Sequence, residues 1–151
     1  MLHLTPVPLP VPTPGLVIRY AYLWREEHQR GMEEGRKDRP CAVILVTTDA
    51  KDGKIVTALP VTHSPPADPS LAVEIPPETK RRLGLDDERS WILLTEANRF
   101  AWPGPDLRPT APGNSESVAY GVLPRKLFIE VIAKFRDLVA EHQARLVSRT
   151  E

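Results

Sequence analysis

Apolar and polar positions change in short blocks along this chain, and proline or glycine separates most of the blocks. Gly15 to Trp24 (GLVIRYAYLW) is rich in β-branched and aromatic residues, which suit a pleated, half-buried strand. Cys41 to Thr48 (CAVILVTT) is nearly all apolar up to its last two residues, which predicts a strand covered on both faces. Asp49 to Gly53 carries the Asp-Gly pair of a tight hairpin turn, so a partner strand is expected over Lys54 to Val61. Leu71 to Ile75, Ser90 to Thr95 and Asn98 to Trp102 predict three further short strands. Pro77 to Leu83 predicts a short helix, with proline in its first turn and Gly84 as its stop.

From Pro124 to Val147 the period changes. Leu127, Phe128, Val131, Ile132, Phe135, Leu138 and Val139 fall at helical spacing, while Lys126, Glu130, Lys134, Arg136, Asp137 and Glu141 lie elsewhere. This predicts one long amphipathic helix packed on a sheet, with fraying at its end. Arg25 to Asp38 is too charged to bury, and residues 103–118 are rich in proline and glycine, so both read as loops. Residues 1–14 carry proline at alternate positions. Proline fixes φ and removes a backbone donor, so this arm is extended and outside any central strand. The expected organisation is a proline-rich arm over 1–14 and one domain over 15–151. The expected fold class is mainly β with accessory α, a small, partly closed antiparallel barrel carrying a C-terminal amphipathic helix.

Composition narrows the function classes. A chain of 151 residues, 41% of them hydrophobic, suits one domain with a real core. Lysine plus arginine number 20, as do aspartate plus glutamate, so the formal net charge is zero. No long-range field gathers nucleic acid, and any such site must be a local basic patch. Cys41 is the single cysteine, which excludes an internal disulfide and a cysteine metal cluster. Its place at the head of an apolar run predicts a buried structural thiol. No apolar run reaches the ~20 residues that span a bilayer, and no basic-then-apolar leader opens the chain. A soluble cytoplasmic protein without a membrane partner is expected.

One stretch carries chemistry. If the hairpin forms, the start of its first strand lies beside the end of its second, which brings Arg39 near Thr62 and His63. A guanidinium stays charged and can grip two phosphate oxygens. A hydroxyl can bond a phosphate oxygen or a ribose 2′-hydroxyl, and an imidazole exchanges protons near neutrality. Neighbouring strand residues face opposite ways, so Thr62 and His63 share a site only if the strand ends there; Pro65 predicts that ending. Arg36, Lys37 and Ser64 extend this candidate site as a polar lip. Arg99 and Trp102 join it as a second binding segment, because bases stack on rings interleaved with cations. Lys80, Arg81 and Arg82 read as a solvated helix face. His3, His28 and His142 have no metal-ligand spacing, and Glu26-Glu27-His28 lacks the second histidine of a zinc helix, so no metal or other cofactor is expected.

Glu33-Glu34 followed by Arg39-Pro40, an apolar strand, a turn and a strand closing on Pro60-Val61-Thr62 resembles the MazF/PemK family of toxin–antitoxin ribonucleases. The order of Val73-Glu74-Ile75, Trp91-Ile92-Leu93-Leu94, Glu96 to Arg99 and a terminal helix is similar too, over residues 15–147. The resemblance implies an SH3-like barrel, usually a homodimer, that cuts single-stranded RNA (often mRNA) by 2′-hydroxyl attack without metal. It also implies a cognate antitoxin, and puts the family's arginine on Arg39 and its hydroxyl on Thr62. The chain departs from the pattern at Leu16, where an acid is usual, at Ala97, near a usual glutamine, and in the inserted 103–118 segment. Two rival readings keep the same barrel: a protein- or peptide-binding module that cuts nothing, and a toxin that inhibits a topoisomerase.

Overall fold

The computed structural model describes residues 9–32, 37–110 and 117–149. Its elements are β1 (Leu16–Tyr20), α1 (Arg25–Gln29), β2 (Arg39–Thr48), β3 (Lys54–Thr62), β4 (Ala72–Glu74), α2 (Pro77–Leu83), β5 (Trp91–Leu93), β6 (Glu96–Ala101), β7 (Ala119–Val122), α3 (Arg125–Ala140) and β8 (Arg145–Ser148). The chain is mainly β with accessory helices, as its blocks predict. None of the described helices is long and apolar enough to cross a membrane.

The sheet runs β4-β5-β3-β2-β1-β7, with β6 and β8 branching from β3. β3 changes partner along its length: Ile55 to Ala58 pair with β6, and Val61 and Thr62 pair with β5. All pairings are antiparallel except β6 with β8. The path from β4 to β7 does not close on itself among the described residues, so the sheet stays open. The β2–β3 hairpin forms in the expected register, with Cys41 opposite Pro60 and Thr48 opposite Lys54. Its turn is held by Asp49, whose carboxylate accepts from the Lys51 and Gly53 amides at 2.8 and 2.7 Å.

Two cores explain why β1 and β2 are apolar at successive positions. Val17, Ala42 and Ile44 face one cluster with Leu59, Ile92, Leu127 and Val131. Leu16, Ile18, Tyr20, Cys41 and Val43 face the other, where the Tyr20 and Phe100 rings stack at 4.4 Å. Each large side chain so buried contributes about 1.5–3 kcal/mol. α3 covers the first cluster through buried Leu127, Val131 and Leu138. Val139, expected on that face, is 49% exposed.

The structure adds to and departs from the sequence reading at several points. α3 ends at Ala140 rather than Val147, because His142 takes a left-handed φ of 59° and the chain turns into β8, parallel to β6. The described chain is anchored at Arg149, which is buried and binds Asp106 Oδ2 at 2.6 Å and Asn98 Oδ1 at 3.0 Å; the fraying expected of the last residues falls on 150–151, outside the described residues. The charged segment after Trp24 opens with a helical turn, α1, whose Glu27 carboxylate accepts from the Trp24 amide at 3.1 Å. β7 forms directly after the 103–118 segment, against β1. Of the proline arm, residues 1–8 lie outside the described residues, and Leu9 and Val11 are exposed.

Candidate functional site

β2 begins at Arg39 and β3 ends at Thr62. Continuing the register of Cys41 opposite Pro60 by two positions sets these residues against each other. The Arg39 guanidinium confirms the proximity, since its Nη1 donates to the Val61 carbonyl at 3.3 Å. Its flat face lies over the Trp24 ring, 4.7 Å from the centroid. Such stacking holds a guanidinium in place without using its donors. The Arg39 Nε is buried and finds no acceptor among the described residues. A buried donor left unpaired costs about 1–3 kcal/mol.

Arg39 lines a cleft of about 560 Å³ together with Thr62, His63, Ser64, Lys80 and Asp86. Strand pairing stops at Thr62 and the backbone bends at His63, so these neighbours reach the same cleft although they could not on a continuing strand. Thr62 also caps the bend by accepting from the Ser64 amide at 3.1 Å. Arg19, Asp38 and Tyr120 line the cleft too. Arg19 donates to the Thr110 carbonyl at 3.3 Å and stands 4.0 Å from Asp38. Burial raises the Tyr120 hydroxyl above its ordinary value, against the lowering pull of Arg19, so it stays a neutral donor at physiological pH.

Lys80 is not on a solvated face. Its side chain is 6% exposed, and its ammonium donates to Asp86 Oδ1 at 2.5 Å, Ser90 Oγ at 2.7 Å and the Glu88 carbonyl. The loop after α2 wraps this ammonium, and Gly84 opens that loop with a φ of 73°, a conformation side chains resist. Asp86 presents its other oxygen to His63, with Oδ2 2.8 Å from Nε2. Partial burial pushes the Asp86 carboxyl up, but Lys80 and His63 outweigh this and hold it below the ordinary carboxylate range.

Of the residues expected at the site, Arg39, Lys37, Thr62, His63 and Ser64 share the cleft. Arg36 lies outside the described residues. Arg99 and Trp102 stand elsewhere: Arg99 pairs opposite Thr57 in mid-sheet, and Trp102 packs with Phe100 in the second core, ring centroids 6.2 Å apart. A groove shared between Arg39 and the 98–102 segment is not formed. Sequence reasoning missed Trp24, Lys80 and Asp86. The one available signal was Asp86-x-Glu88 directly after a helix stop.

His63, Asp86 and Glu88 bring ligand atoms within 4.8 Å of one another. The Lys80 ammonium already neutralises Asp86 and would repel a cation there, so the cluster is an ion-pair network in character. The chain matches no protein-family model and no curated protein.

Proposed function

We propose that this protein is a metal-independent endoribonuclease acting on single-stranded RNA. The observation that carries the reading is the Arg39 guanidinium. It is fixed by Trp24 and Val61, keeps a buried Nε that finds no acceptor among the described residues, and borders the cleft that also holds Thr62 and His63. A phosphate oxygen is the acceptor that would satisfy Nε, and the same charge stabilises the pentavalent phosphorus formed during attack.

The reaction needs no group beyond these. The 2′-oxygen forms a bond to phosphorus while its proton passes to His63. The bond from phosphorus to the 5′-oxygen breaks, and that oxygen takes a proton from water. Thr62 holds a non-bridging oxygen or the 2′-hydroxyl. The products are a 2′,3′-cyclic phosphate and a 5′-hydroxyl end, and the imidazolium returns its proton to solvent. A positioned acid or base of this kind is worth roughly 10²–10⁴-fold. The similarity of Arg39-Pro40 and Pro60-Val61-Thr62 to the MazF/PemK pattern extends the proposal to a dimeric cytoplasmic toxin neutralised by an antitoxin.

The product chemistry tests it. A mixed-sequence single-stranded RNA should give fragments with cyclic phosphate and 5′-hydroxyl ends, while the same sequence as DNA stays intact. Cleavage of the DNA, or 5′-phosphate ends on the RNA, would contradict attack by the 2′-hydroxyl. A folded protein that binds the RNA without cutting it would favour the binding-module reading.

A further inference from the structure

We infer that Lys80 and Asp86 are positioning residues that fix His63 in a single tautomer, with the proton on Nε2 and the lone pair on Nδ1. This rests on the proposed cleavage only for its use; the clamp itself is a matter of geometry.

Three observations carry it. Lys80 is rooted in α2 with its side chain 6% exposed, so its ammonium has no freedom to follow solvent. It donates to Asp86 Oδ1, Ser90 Oγ and the Glu88 carbonyl, which fixes the 84–90 loop around it. Asp86 is thereby held by one oxygen and presents the other, Oδ2, to His63 Nε2 at 2.8 Å. Glu88 Oε2 lies 3.6 Å from the same nitrogen. Two carboxylates around one ring nitrogen leave only one sensible assignment for a neutral imidazole. A carboxylate accepts and cannot donate, so Nε2 carries the hydrogen. Nδ1 is then the nitrogen with a lone pair, and it belongs to a side chain that lines the cleft with Arg39 and Thr62.

An exposed histidine without such a partner samples both tautomers, and a base in the wrong tautomer offers an N–H where a lone pair is needed. The carboxylate also stabilises the imidazolium that forms when the proton arrives. The arrangement is a relay of charges, positive, negative and then imidazole, in which only the last member meets substrate. It gives a reason for burying a lysine, which otherwise carries a desolvation cost.

Nitrogen-15 NMR of the full chain reads the tautomer directly and needs no activity. At about pH 8, where an ordinary imidazole is neutral, His63 should show a pyrrole-like Nε2 and a pyridine-like Nδ1. Asp86→Asn replaces an exposed acceptor by an isostere and should fold; in it the two nitrogens should move toward averaged shifts. RNA cleavage should fall by about 10²- to 10⁴-fold in the same variant. Lys80→Met should shift the tautomer in the same direction if it folds, and Asp86→Asn decides the matter if it does not. Protonation on Nδ1 in the parent, or shifts unmoved by Asp86→Asn, overturns the inference. The expected tautomer in a parent that cuts no RNA would uphold the clamp and overturn the ribonuclease reading instead.

Discussion

Arg39 reaches across the hairpin to the Val61 carbonyl, 3.3 Å from its Nη1, and so ties the head of β2 to the end of β3. Its Nε is buried and finds no acceptor among the described residues, beside a cleft of about 560 Å³. The guanidinium is therefore held by its stacking on Trp24 and by one long hydrogen bond, with capacity to spare. The proposal for the site follows from that surplus.

Asp86 sets a pH dependence of stability. Partial burial alone would raise its carboxyl, but Lys80 and His63 hold it below the ordinary value. A depressed value means that the folded chain binds the proton less tightly than the unfolded chain. The contribution is then full above the unfolded value of about 3.9 and is lost as pH falls through the folded one. Asp86→Asn removes the carboxylate partner of the buried Lys80 ammonium, so it should destabilise the chain at neutral pH. Urea unfolding should show that difference in full at about pH 7 and a smaller one as pH falls below about 4.

Arg149 holds the C-terminal strand in place. It binds Asp106, Asn98, Tyr20 and the Ala21 carbonyl, all buried. Arg149→Ala leaves the Asp106 carboxylate buried without this partner, which typically costs about 3–5 kcal/mol. Chemical denaturation should report a loss of that size, and an unchanged midpoint would mean that β8 is dispensable.

Gly84 positions the loop that carries Asp86. A Cβ there would meet nothing within 4 Å, so the cost of Gly84→Ala is that of the left-handed backbone alone. The expected loss is about 1 kcal/mol by thermal or urea unfolding.

Cys41 is fully buried, and burial pushes its thiol far above the ordinary value despite the lowering charges of Arg39 and Arg149. A thiol-reactive dye should leave the native chain unlabelled and label it once denatured, with a single equivalent. Rapid labelling of the native chain would contradict the packing of β2.

Much of the scaffold was legible because local chemistry and long-range packing agree there. An apolar run, an Asp-Gly turn and a second apolar run predict a hairpin, and its pairing, with one register shift between Val43 and Leu45, sets Arg39 by Thr62. Pro77 and Gly84 bracket α2 as the sequence predicts. Elsewhere the competing principle won. Helical spacing continues to Val147, but pairing with β6 and the Arg149 anchor draw that segment into β8. Lys80-Arg81-Arg82 reads as a polar face because the partners of Lys80 lie six to ten residues on, in a loop with no period. Trp24 reads as an ordinary strand end, and its role beneath Arg39 depends on a contact across the 14 residues of charged chain between them. Arg99 and Trp102 share a strand neighbourhood with aromatic rings, yet those rings face the second core rather than the cleft.

The most direct measurement is cleavage of a long single-stranded RNA in excess EDTA by the parent and by Arg39→Ala, each shown folded by circular dichroism. Cutting by the parent and a loss of about 10²-fold or more in the variant are expected. Equal cutting by both would contradict the role given to Arg39, and no cutting by the folded parent, free of any bound partner, would contradict the ribonuclease proposal itself.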